Sequence, residues 1–131
     1  MSGIVFFGTD RHDAVVDFYT ERLDFDVWLE QPACTILRHG TLLVGFCQRE
    51  ETETGGIVTV VLDDRDAVDE WYDRLTDVAE GPPTENTEYR IYNFFGTDPD
   101  GRSFEVQTFL HGTGSIPGAG TQSETRNPSD T

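Results

Sequence analysis

Few side chains in this 131-residue chain are of a type and spacing to do chemistry, and Glu105 is the first of them. It interrupts an alternating run, Ser103 to Leu110, and lies four residues beyond the turn sequence Asp98-Pro99-Asp100-Gly101. Carboxylates are rarely buried alone, so on an apolar strand face Glu105 should either stay protonated or meet a cation or a hydrogen-bond donor. Its chemistry would be that of a general base or of an anchor for a polar ligand group. Weighed equally against these roles are a salt link to Arg90 or Arg38 and simple exposure to water at the open end of a sheet.

The remaining reactive types are scattered. His12 precedes a helical pattern, His39 sits in a turn and His111 follows the last strand, so all three read as surface residues. Cys34 and Cys47 belong to no CxxC pattern and no Cys/His cluster. They are near enough in sequence to meet across a hairpin, but they read as free thiols acting as small apolar packers. Gly112-Thr113-Gly114 precedes no helical pattern and is no nucleotide fingerprint.

The elements that position Glu105 follow from an internal repeat. Gly3-Ile4-Val5, Asp10, Asp13-Ala14-Val15 and Phe18-Tyr19 reappear, each 53 positions later, as Gly56-Ile57-Val58, Asp63, Asp66-Ala67-Val68 and Trp71-Tyr72. Two copies are too few for a stacked array, which leaves a pseudo-twofold domain. Each copy opens with a strand, Ile4 to Gly8 and Ile57 to Leu62, followed by apolar residues at helical spacing: Ala14, Val15, Phe18, Tyr19 and Leu23, then Val68, Trp71, Tyr72, Leu75 and Val78. An Asp before each helix is available to cap free N–H groups. Three strands follow the first helix, Phe25 to Glu30, Ala33 to Arg38 and Thr41 to Gln48, the last two joined at His39-Gly40. After the second helix, Gly81-Pro82-Pro83 breaks the chain. A weak strand around Glu85 to Tyr89 and a clear one from Arg90 to Phe95 precede the Asp-Pro-Asp-Gly turn and the final strand. From Gly112 onward small and polar residues predominate, and residues 112–131 are expected to be disordered.

Composition narrows the function. All nine basic residues are Arg against 25 Asp and Glu, a formal net charge of -16. Such a surface repels phosphate backbones and anionic lipid, so neither nucleic acid nor a membrane is an expected partner. Steering of a cationic ligand is one reading of this charge. The favoured one is a solvated shell suited to a salt-rich cytoplasm, because the acids are spread over both helices and every loop, and a halophilic source is the hypothesis. With no signal peptide or membrane-length apolar run in the sequence, a cytoplasmic location is expected.

The order βαβββ-βαβββ, the aromatic pair Phe18-Tyr19 closing the first helix, and Asp98-Pro99-Asp100-Gly101 followed by Glu105 resemble the glyoxalase/bleomycin resistance/dioxygenase (vicinal oxygen chelate) superfamily over about residues 3 to 110. The resemblance implies an α+β fold in which tandem βαβββ units, about 3–49 and 56–110, form a cupped, partly closed mixed β-sheet barrel with helices outside, within a domain of residues 1–111. Metalloenzymes of the superfamily bind a divalent metal in the cup through a His or Gln at the start of each unit's first strand and a Glu on the last strand. Those first-strand positions fall on Ile4 and Ile57, and Glu105 is the one match, so no metal or other cofactor is expected.

If the alternation follows the family's cup, Ile4, Phe6, Ile57, Thr59, Glu105 and Gln107 face the ligand, while Val5, Phe7, Val58, Val60, Leu62, Phe104 and Val106 pack beneath the helices. Tyr92 and Phe94 are added as aromatic walls of the ligand site. Strand register leaves both faces open for Trp28, Phe46, Cys34 and Cys47. The leading reading is a metal-free protein that binds a small, mainly apolar or aromatic molecule, as bleomycin-resistance-type proteins do, and forms a homodimer as the family commonly does. The alternatives are a glyoxalase-type metal-dependent lyase or isomerase using Glu105 as base or ligand, and a structural or partner-binding module.

Overall fold

The computed structural model describes residues 3–114. The first unit comprises β1 (Ile4–Thr9), α1 (His12–Arg22), β2 (Asp26–Glu30), β3 (Cys34–His39) and β4 (Leu42–Gln48). The second comprises β5 (Ile57–Val61), α2 (Arg65–Arg74), β6 (Thr84–Asn86), β7 (Ile91–Thr97) and β8 (Ser103–Phe109). Most of the expected tail, residues 115–131, lies outside the described residues. Among the described residues no helix is long and apolar enough to cross a membrane.

The units form two four-stranded mixed sheets ordered β1-β4-β3-β2 and β5-β8-β7-β6. In each, the first strand runs parallel to the last and the remaining pairs are antiparallel. The repeat in sequence is a repeat in packing: Val15 and Val68 are both fully buried, and Phe18 and Trp71 are buried at equivalent positions. One helix-side core spans both units, with Phe46, Val44 and Leu37 beneath α1 and Val58, Val106, Phe94 and Phe104 beneath α2. Phe18 of α1 meets Phe104 of β8 at 5.8 Å between ring centroids, which joins the two halves. Val5 departs from the expected pattern, since it lies at the start of edge strand β1 and is exposed.

The two helices begin differently. Asp64 caps α2 by accepting the Ala67 N–H at 2.9 Å. No side chain of the N-cap residue Arg11 caps α1. There the Arg11 N–H is taken by Thr9 Oγ1 and the His12 N–H by Gln48 Oε1 of β4, while Asp10 accepts the Thr52 hydroxyl instead. Tertiary contacts thus satisfy donors that a local cap would otherwise hold.

Asp98-Pro99-Asp100-Gly101 makes the tight turn between β7 and β8, with Gly101 at φ 84° and its N–H on the Asp98 carbonyl. The turn also serves as a staple between units. Arg102, 0 % exposed, is paired with Asp98 at 2.8 Å and lies over the rings of Phe7 and Phe46. Its guanidinium also donates to the Glu53 carbonyl of the segment linking the units, and the Glu53 carboxylate accepts the Gly8 N–H. Each of the three guanidinium nitrogens thus donates to an acceptor, which offsets the cost of placing this charge in the core.

Candidate functional site

Each sheet has one face under its helix and one face without a helix. In the second sheet the open face carries Ile57 and Thr59 of β5, Glu105 and Gln107 of β8, and Asn93 and Phe95 of β7. Glu105 is 9 % exposed. Its Oε1 accepts the Thr59 hydroxyl at 3.0 Å and its Oε2 accepts the Asn93 amide at 2.8 Å. Parallel pairing sets Thr59 opposite Glu105, and the antiparallel register puts Asn93 on the next rung of β7 beside Gln107. Donors on both flanking strands therefore fix the carboxylate in place, and neither Arg90 nor Arg38 is its partner.

Of the residues expected around the ligand, Ile57, Thr59, Glu105 and Gln107 share this face. Tyr92 and Phe94 do not. They flank Asn93 in an alternating strand and point to the helix side, where Phe94 packs on Tyr72 and Phe104 and the Tyr92 hydroxyl donates to Asp69 at 2.7 Å. An aromatic face under a helix buries more apolar surface than one left open to water, which decides the register. Asn93, a lone amide between two aromatics, marks the opposite face. Trp28 is exposed on β2, and Phe46 is buried against Tyr19 at 5.0 Å between centroids.

Ile4 and Phe6 lie on the open face of the first sheet, opposite Leu43 and Gly45 of β4. Their counterparts Ile57 and Thr59 lie opposite Ser103 and Glu105. Gly45 is therefore the pseudo-symmetric partner of Glu105, and it has no side chain to offer. A Cβ there would overlap Cδ1 and Cε1 of the Phe6 ring. By the same register Cys34 and Cys47 correspond to Asn93 and Gln107. The structure joins these cysteines as a disulfide between facing strands, correcting the expectation of free thiols. Strand pairing sets them directly opposite each other, whereas sequence separation alone left their orientation open.

The donor set does not fit a divalent metal. Ile4, Ile57 and Gly45 contribute no ligand atom, which leaves Glu105 as the lone carboxylate at these positions. Among the described residues there is no cluster of three or more His, Cys, Asp or Glu. His12 bonds Asp13 and Thr35 at 2.8 Å each, His39 lies between Phe25 and Trp71, and His111 rests near Phe109. None of them approaches Glu105 as a hydrogen-bond partner. What the site offers is a fixed acceptor among Thr59, Asn93 and Gln107, with Ile57 and Phe95 as apolar neighbours, suited to holding an N–H or O–H of a small molecule.

Two clefts are lined by the donors of Glu105, though not by Glu105 itself. One of about 120 Å³ lies on the Thr59 side, between Ile57, Thr59 and residues of the first unit such as Val5 and Leu42. The other, about 220 Å³, lies on the Asn93 side against Phe95 and the Gly81-Pro82 turn. Each is smaller than the roughly 300 Å³ at which small-molecule pockets begin. The surrounding apolar groups are open to solvent, with Phe6 49 % and Ile57 53 % exposed.

The model of the Glyoxalase/Bleomycin resistance protein/Dioxygenase superfamily matches residues 3–106. No functionally curated protein matches the sequence. Among solved structures, a glyoxalase/bleomycin resistance protein/dioxygenase from Nocardioides is similar with TM-score 0.69 and 19 % identity, over 88 % of this chain and 89 % of that one. A lactoylglutathione lyase from Agrobacterium tumefaciens gives TM-score 0.69 and 20 % identity, covering 82 % and 92 %. A family enzyme from Burkholderia phytofirmans PsJN gives 0.71 and 19 %, covering 82 % and 97 %. At these identities the structures speak for the fold alone. With the family model spanning both βαβββ units, the chain belongs to the glyoxalase/bleomycin resistance/dioxygenase superfamily.

Proposed function

We propose that the protein binds a small, mainly apolar or aromatic molecule against the open face around Glu105, without a metal, and that a second copy of the chain completes the cup. The observation that carries this reading is the Glu105 carboxylate, held by Thr59 and Asn93 on a floor whose other family ligand positions are Ile4 and Ile57. A carboxylate fixed by neutral donors is set up to orient a ligand donor, and the surrounding apolar groups supply the contact area. The homodimer is supported by the exposed apolar groups of both open faces, Ile4, Phe6, Ile57, Phe95 and Phe109, and by the small size of the two clefts beside Thr59 and Asn93.

The experiment is a thermal-shift screen of small aromatic molecules bearing an N–H or O–H, repeated on Glu105→Ala. A ligand of this class should raise the midpoint of the native protein and lose at least about tenfold in affinity in the variant, the loss of a charge-assisted hydrogen bond. Ligands that bind both proteins equally would remove Glu105 from the site. The lyase reading draws on the resemblance of fold to the Agrobacterium lyase. It predicts divalent-metal-dependent turnover that the Glu105 variant lacks. The structural-module reading draws on the Phe6 ring over Gly45, where the cup is partly filled by the chain itself.

A further inference from the structure

We infer that Cys34 and Cys47 form a reversible thiol–disulfide exchange site on the wall of the cup. They are the chain's two cysteines, and they face each other across β3 and β4 with their sulfurs joined. Both lie on the open face, because Cys47 is also opposite Gly8 of β1, in the row beyond Phe6 and Gly45. The wall that is an amide pair, Asn93 and Gln107, beside Glu105 in one unit is a cystine in the other. The inference does not depend on what the cup binds.

Three features favour exchange over a permanent staple. Access is one-sided: Cys34 begins β3 and is half-buried, whereas Cys47 is buried. An incoming thiolate therefore meets the Cys34 sulfur and displaces that of Cys47. The ladder also holds the strands without the bridge, since the Gln48 N–H donates to the Ala33 carbonyl at 2.9 Å and the Gln31 N–H to the Cys34 carbonyl at 2.8 Å. Finally, the Cα atoms are 4.0 Å apart, the close spacing of a non-hydrogen-bonded antiparallel pair. Cystines usually span about 4.4–6.8 Å, and bridges outside that span are the more readily reduced.

The exchange balances with a low-molecular-weight thiol as reductant. Its thiolate attacks the Cys34 sulfur, forming a mixed disulfide and releasing the Cys47 thiolate, which takes a proton. A second thiolate attacks the external sulfur of the mixed disulfide, releasing the Cys34 thiolate, which is protonated in turn. Two small thiols leave as one disulfide, and the cystine gains two electrons and two protons. Opening the bridge leaves the start of β3 and the end of β4, where the chain enters the linker to the second unit, held by backbone hydrogen bonds alone, so that this pair opens more often without unfolding.

The test uses the full chain under native conditions in graded mixtures of reduced and oxidised dithiothreitol, pulsed with N-ethylmaleimide and weighed by mass spectrometry. Amide hydrogen exchange is followed in the same samples. Two maleimides should appear together in a single reversible step, and amides of residues 34–47 should exchange at least about tenfold faster in the reduced protein. C34S/C47S should show the fast exchange in every buffer. Labelling that requires denaturant would make the bridge a sealed structural element and overturn the inference. Native labelling that leaves exchange of β3 and β4 unchanged would overturn it too.

Discussion

The Tyr19 hydroxyl donates to Asp98 at 2.9 Å inside the core, and this single bond ties the last turn of α1 in the first unit to the turn before β8 in the second. The same Asp98 pairs with Arg102 and accepts the N–H groups of Asp100 and Arg102. The turn sequence that marks the family is thus, in this chain, the joint between its halves, and it sets the position of the strand carrying Glu105.

Removing the cation of that joint should be costly. Arg102→Ala leaves Asp98 and Asp100 buried without their charge partner, for which about 3–5 kcal/mol is expected. Urea denaturation should show the unfolding free energy falling by that amount, or no folded protein at all. The milder Tyr19→Phe removes one buried hydrogen bond and should cost about 1–2 kcal/mol with the chain still folded. A loss below about 0.5 kcal/mol for Arg102→Ala would mean that the joint does not hold the units together.

Tyr19 also gives the protein a defined response to alkali. Burial first, and then the Asp98 carboxylate, hold its phenol well above the ordinary range. The group's folded value is raised, so its contribution to stability is complete below the unfolded value of about 10 and is lost as pH climbs above it. Denaturation midpoints measured from pH 9 upward should fall more steeply for the native protein than for Tyr19→Phe. Equal slopes would place the phenol in water.

Much of this architecture was legible in the sequence because burial was written there twice. Val15 with Val68 and Phe18 with Trp71 recur at one offset, and their helices pack as that recurrence demands. Glu105 was legible because an acid breaking an apolar run must find a partner. Its partners are not legible in the same way: Thr59 and Asn93 reach it only through strand register, which places Asn93 on its face and Tyr92 and Phe94 on the other. Arg102, one residue past the turn, carries no local sign that it is buried. Nor does spacing reveal that Cys34 and Cys47 are rung partners.

We propose that the charge of -16 is an adaptation to salt. Acidic groups spread over a surface repel one another, and screening by ions relieves that repulsion over about 10 Å at 0.1 M and less at higher ionic strength. The thermal midpoint should rise steadily from dilute buffer to molar KCl. A midpoint that does not move with KCl would count against a halophilic source.

The account turns on a cup that works without a metal ion, and a melting curve with and without a chelator addresses this most directly, with elemental analysis of the same sample. The prediction is a substoichiometric metal content and superimposable curves, because Ile4, Ile57 and Gly45 leave Glu105 without companion ligands. A metal held at a hundred times its dissociation constant would stabilise the fold by about 2.7 kcal/mol, and stripping it would lower the midpoint by about 10 °C. One metal per chain together with such a drop would contradict the account.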